Sequence, residues 1–191
     1  ETMATQPPLI HRWDYTYSIL STVAFPHKRL LFAGTQDSKV LCFDLATYDL
    51  IKTIHLGDSV DTNTKSSVLC LTKSQDEQYL FSAGTDSLVR IWTVGHVTKD
   101  CNIPIKEVVT IYSLMDIGDI FSLRYLDSQQ TVVFGSQNAS MLYVQNVLDN
   151  LHGKNENDLN KLPHRRFDRF FDSTGPGASA DSYSPTPTPV E

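Results

Sequence analysis

Apolar residues along this chain fall in short runs of about four to seven, divided by clusters of Gly, Asp, Ser and Asn. Runs of that length are too short for helical faces. Val-, Ile-, Leu-, Phe- and Tyr-rich runs between turn-forming clusters are strand-and-turn chemistry. The pattern predicts an all-β fold.

The runs also repeat. Leu31-Phe32-Ala33-Gly34-Thr35-Gln36-Asp37-Ser38-Lys39-Val40-Leu41-Cys42-Phe43-Asp44 returns as Leu80-Phe81-Ser82-Ala83-Gly84-Thr85-Asp86-Ser87-Leu88-Val89-Arg90-Ile91-Trp92. A degraded third copy runs from Val132 to Val144, so Gly34, Gly84 and Gly135 mark steps of 50 and 51 residues. Each unit opens with a further apolar segment and a polar turn. Strands are predicted near 18–24, 30–34, 38–44 and 48–54, then 66–72, 78–83, 87–93 and 108–112. A third set follows near 119–126, 131–135 and 140–147. Leu9–Trp13 is expected as an entry strand or closing segment, and Lys52 blunts an edge strand.

A repeat of about 40–50 residues with three or four strands fits a β-propeller blade. Asp86–Trp92, and more loosely Asp37–Asp44, resemble the WD-repeat family, in which an Asp caps the turn before the third strand and that strand ends in Trp-Asp. An Asp side chain can accept turn amides. The expected turn caps are Asp37, Asp86 and, in the third unit, Asn138; the expected blade-packing rings are Phe43, Trp92 and Tyr143. The family's Gly-His pair before the first strand is missing from all three units, which marks the repeats as divergent. Closed propellers need at least four blades. Three blades therefore make an arc, with two exposed blade faces expected.

The chain divides into a flexible leader (1–8), three WD-like blades (9–148), a loop and basic-aromatic strap (149–172) and a Ser/Thr/Pro-rich tail expected to be disordered (173–191). In the strap, Arg165, Arg166, Phe167, Phe170 and Phe171 read as a partner-docking segment. Nuclear targeting and base stacking are alternative roles for that segment, and Asp168 and Asp172 dilute its charge. Ser184-Pro185, Thr186-Pro187 and Thr188-Pro189 suit proline-directed phosphorylation or an inert linker. The first residue is not Met and the last residues are Pro187–Glu191, from which an excerpt of a longer chain is expected.

Charge changes the picture little. The 191 residues carry 16 basic and 22 acidic side chains, a formal net charge of -6, which disfavours a duplex nucleic-acid binder. No apolar run reaches membrane-spanning length. Neither nucleic acid nor membrane is expected as a partner. Cys42, Cys70 and Cys101 cannot all pair, and the first two sit in apolar runs, so reduced thiols are expected. His96 with Cys101, and His152 with His164, match no compact zinc spacing. No catalytic or cofactor motif is present, and no metal site, catalytic residue or cofactor is assigned to this segment.

A more particular resemblance covers about residues 9–172. It rests on Ala24-Phe25-Pro26, Lys28–Gly34, Ser66–Leu71, Asp86–Trp92, Asp116–Leu123, Phe134–Ser140 and Lys161–Arg166. Together these are similar to the N-terminal WD-repeat region of the larger subunits of fungal glutathione-degrading complexes. The resemblance implies further blades of the same chain, a downstream zinc-dependent exopeptidase domain and a glutamine-amidotransferase-like partner subunit. It also implies cleavage of the γ-glutamyl bond of glutathione in the cytoplasm. The expectation is a non-catalytic protein-interaction segment; the alternative is a WD-repeat scaffold of another cytoplasmic pathway with no associated enzyme.

Overall fold

A computed structural model describes residues 11–56, 66–98, 102–113, 117–138, 141–148 and 165–167. The described residues are all-β, in three antiparallel blades. Blade 1 is a four-stranded meander of β1 (Ile19–Phe25), β2 (Leu30–Thr35), β3 (Lys39–Asp44) and β4 (Leu50–His55). Blade 2 repeats it with β5 (Val68–Lys73), β6 (Tyr79–Gly84), β7 (Val89–Val94) and β8 (Ile105–Ser113). Blade 3 has β9 (Ile120–Leu126), β10 (Thr131–Ser136) and β11 (Leu142–Val144). The third strand expected over 140–147 is thus reduced to three residues.

Alternation along each strand decides what packs where. In blade 2, Leu71, Leu80, Trp92 and Val94 face blade 1, where they meet Phe25, Phe32, Val40, Cys42 and Ile54. The intervening residues Cys70, Phe81, Ile91 and Val109 face blade 3 and meet Ile120, Leu123, Val132, Phe134 and Leu142. Blade 2 is therefore buried on both faces. Its second strand, Tyr79–Gly84, is buried at every position. Each fully buried side chain such as Phe32 or Phe81 contributes roughly 1.5–3 kcal/mol.

The turns recur in register as well. Left-handed residues Arg29, Glu77 and Gln130 close the first turn of each blade, and Ser38 and Ser87 close the second turn of blades 1 and 2. A β-bulge lies in each first strand, between Ile19 and Ser21, Val68 and Cys70, and Ile120 and Ser122. Opposite the residue after the bulge stand Gly34, Ala83 and Gly135. Gly84 is therefore not the counterpart of Gly34, and the first step, aligned through Phe43 and Trp92, is 49 residues rather than 50. Gly84 has its own reason to be glycine: a Cβ there would lie 1.8 Å from the Ser67 carbonyl oxygen.

Two expectations need correction. Of the expected entry strand or closing segment, Leu9–Trp13, the described residues 11–13 are not a strand, and the chain stays irregular through residue 17. This stretch lies across the outer face of blade 1, packing Trp13 and Tyr15 on Ala33, Leu41 and Phe43. Only blade 3 therefore keeps an uncovered terminal face among the described residues. The physical reason is the composition of that segment: its rings fill the place a neighbouring sheet would otherwise occupy.

Candidate docking surface

The two turn aspartates do different work. Asp86 accepts the Leu88 amide at 3.2 Å through Oδ1, and its Oδ2 pairs with Arg90. Arg90 also faces Glu107 across to the fourth strand at 4.0 Å. Asp37 instead binds the Lys39 ammonium and accepts the Tyr15 hydroxyl at 3.2 Å. The Lys39 amide goes to Thr35 Oγ1 at 3.1 Å. Burial pushes the Asp37 carboxyl up, but hydrogen bonds from Lys39, Thr35 and Tyr15 outweigh it and hold the group below its ordinary range. Asp37 thus ties the N-terminal segment to blade 1, a role its sequence position does not show. Asn138 is exposed, and its backbone N–H donates to Ile117 O at 3.0 Å.

The rings divide likewise. Trp92 is buried in the seam between blades 1 and 2, its Nε1 donating to Ser82 Oγ at 3.0 Å. Phe43 holds the same register on the outer side of blade 1, where Trp13 lies over it with ring centroids 4.9 Å apart. Tyr143 does not share that register. Val144 pairs with Val132 as Trp92 pairs with Leu80 and Phe43 with Leu31. Tyr143 corresponds to Ile91 and Cys42, and alternation turns it to the side of blade 3 away from blade 2. The wedge of blade 3 is Val144, a small residue that the sequence hid behind its neighbour's ring.

Between blades 1 and 2 a cleft of about 490 Å³ opens at the first-turn rim, lined by His27, Lys28, Asp76, Tyr79, His96 and Pro104 among others. Its wall is held by Glu77, whose buried carboxylate accepts the Lys28 amide at 3.3 Å and pairs with Lys73. Lys28 reaches the Val94 carbonyl; burial pulls its ammonium below the ordinary lysine range, against the attraction of Glu77 and Asp76. In the sequence Glu77 read only as part of a polar turn. Nothing in composition distinguishes a buried turn carboxylate from a solvated one.

Of the strap, the backbone of Arg165–Phe167 (β12) is described. It adds to the edge of blade 2 in parallel with β8, Arg165 opposite Ile111. The side chains of Arg165, Arg166 and Phe167 lie outside what is described there, and Phe170 and Phe171 lie outside the described residues, as do the leader and the tail.

Cys42 and Cys70 are buried free thiols. Burial pushes each up to about 12, with Asp44 adding to the effect at Cys42 and Arg124 opposing it at Cys70, so both stay protonated. Among the described residues no three His, Cys, Asp or Glu side chains converge on a point that could hold a metal ion. Cys101, His152 and His164 lie outside the described residues. No helix among them is long and apolar enough to cross a membrane.

Packed seams, exposed turns and one face uncovered among the described residues define the candidate surface. The family model described as "WD domain, G-beta repeat" matches residues 57–93. The fold aligns with the structure of U3-55K at TM-score 0.55 and 20% identity, over 72% of this chain and 38% of that one. It aligns with the Cps50 (Swd1) β-propeller domain of Myceliophteria thermophila at TM-score 0.56 and 13% identity, over 68% of this chain and 38% of that one. In sequence, the chain is 60% identical over 190 residues to the probable di- and tripeptidase DUG2 of Saccharomyces cerevisiae. That match takes in 96% of this chain, which spans only 22% of the relative's length. The described residues form a partial β-propeller, residues 57–93 match the WD-repeat model, and the chain resembles the N-terminal part of a fungal di- and tripeptidase.

Proposed function

We propose that this chain is a non-catalytic docking segment of a glutathione-degrading peptidase, positioning a glutamine-amidotransferase-like subunit beside a downstream zinc-dependent exopeptidase domain in the cytoplasm. The observation that carries the reading is the 60% identity maintained across 96% of the chain to one stretch of a peptidase. The propeller architecture supports the docking half, since blades present rigid turns on a packed scaffold and proteins of this fold generally bind other proteins. In this reading the cleavage of the γ-glutamyl bond belongs to the downstream domain, and the described residues supply orientation rather than proton transfer or a nucleophile.

A pull-down tests the docking. The full-length polypeptide carrying this segment is expected to retain its amidotransferase-like subunit, and removal of residues 161–172 is expected to weaken that retention. Unchanged retention without those residues would remove the strap from the interface. Loss of blades 1–3 with no effect on retention would overturn the docking role itself.

A further inference from the structure

Three turns meet at the cleft of about 490 Å³ on the rim between blades 1 and 2. The first turn of blade 1 brings His27 and Lys28, the first turn of blade 2 brings Asp76, and the β7–β8 connection brings His96. Behind this rim the seam is apolar, built from Phe25, Leu71, Leu80, Trp92, Val94 and Ile103. Glu77 ties the two first turns together: it is 1% exposed, accepts the Lys28 amide at 3.3 Å and pairs with Lys73.

The polar groups that line the cleft are not consumed by this packing. Asp76 gives one carboxylate oxygen, Oδ1, to the Ser74 hydroxyl at 2.5 Å and the Gln78 amide at 3.0 Å, and among the described residues Oδ2 stays open. His27 and His96 are exposed, and neither imidazole is hydrogen-bonded among the described residues. Lys28 donates to the Val94 carbonyl, which uses one of its three N–H bonds. Burial lowers this ammonium more than Glu77 and Asp76 raise it, so the cation is left without full compensation.

The volume suits a small molecule, and the mixed signs select its class. A ligand that is only anionic meets the Asp76 carboxylate, and one that is only cationic meets the Lys28 ammonium. A metal ion finds no three converging ligands among the described residues. A free amino acid or short peptide carries both charges, whereas the terminus of a protein chain brings one of them. The geometry points to this cleft as a binding site for a zwitterionic amino acid or short peptide, with its ammonium on Asp76 and its carboxylate on Lys28, His27 and His96. Because the lining comes from both blades, a bound ligand holds the seam closed at its rim. The inference does not depend on which subunit docks.

Amide hydrogen exchange in the full-length polypeptide tests it, with glycylglycine as the probe. Exchange over residues 26–29, 76–79 and 93–96 is expected to slow as the probe is titrated in, roughly tenfold at about ten times its Kd. N-acetylglycylglycine, which lacks the ammonium, and glycylglycinamide, which lacks the carboxylate, should give no protection there. Asp76→Asn keeps an oxygen for Ser74 and Gln78 and should abolish the protection. His96→Ala changes an exposed side chain and should weaken it, with exchange of the free protein unaltered. No protection by glycylglycine, or equal protection by either blocked analogue, would overturn the site. Protection that survives in Asp76→Asn would overturn the seat assigned to the ammonium.

Discussion

Asp37 shows how far a motif residue's work departs from its motif. A carboxylate one residue before a left-handed serine suggests a turn cap, and Asp86 is one. At Asp37 the neighbouring Thr35 hydroxyl takes the turn amide, which leaves the carboxylate to Lys39 and Tyr15. Because the folded state holds this carboxyl below its ordinary value, its contribution is present above the unfolded carboxylate pKa and lost as pH falls through the folded one. Asp37→Asn should therefore lower the thermal midpoint at pH 7. The gap to the wild type should close as pH drops below the ordinary carboxylate range. A gap of constant size down to the acid transition would show that the charge is not what matters. The magnitude is small, because the Lys39 partner is solvent-screened.

At the scale of elements, strand existence and order were legible in the sequence, because strand alternation and turn-formers are local signals. Strand ends were less so. The eighth strand runs from Ile105 rather than Val108, as pairing with Thr93 and Val94 extends it beyond its apolar run. The repeated glycine misled by one residue, since Gly34 and Gly84 answer different steric demands that a single line of sequence cannot separate. Substitution separates them. Gly84→Ala sets a Cβ against the Ser67 carbonyl, a backbone atom that cannot swing aside, and should cost about 1–3 kcal/mol in chemical denaturation. Gly34→Ala should cost less, because its Cβ would stand 2.9 Å from the nearest backbone atom, the Val68 carbonyl oxygen, with the Ser21 hydroxyl at 2.5 Å, and blade 2 already has Ala83 at that position. Equal costs would contradict the assignment of the bulge. The wedge of blade 3 was missed for a related reason: Tyr143 draws the eye, while register assigns the place to Val144.

For the whole molecule, the three described blades form an arc whose two seams are apolar faces crossed by side-chain-to-carbonyl bonds at matching positions, with one end covered by its own N-terminal segment. The bonds across the seams from Ser21 Oγ to Val68 O and from Cys70 Sγ to Ile120 O were not legible, because the two side chains share little beyond a donor hydrogen and only the bulge register aligns them. Under the proposed function, such an arc contributes position and the chemistry belongs to the downstream domain. Glutamate release from glutathione measures that division directly. The 191-residue chain, folded as judged by a buried Trp92 emission and supplied with zinc and the amidotransferase-like subunit, should release none, whereas the full-length polypeptide with the same subunit should release it steadily. Sustained release by the 191-residue chain would contradict the account.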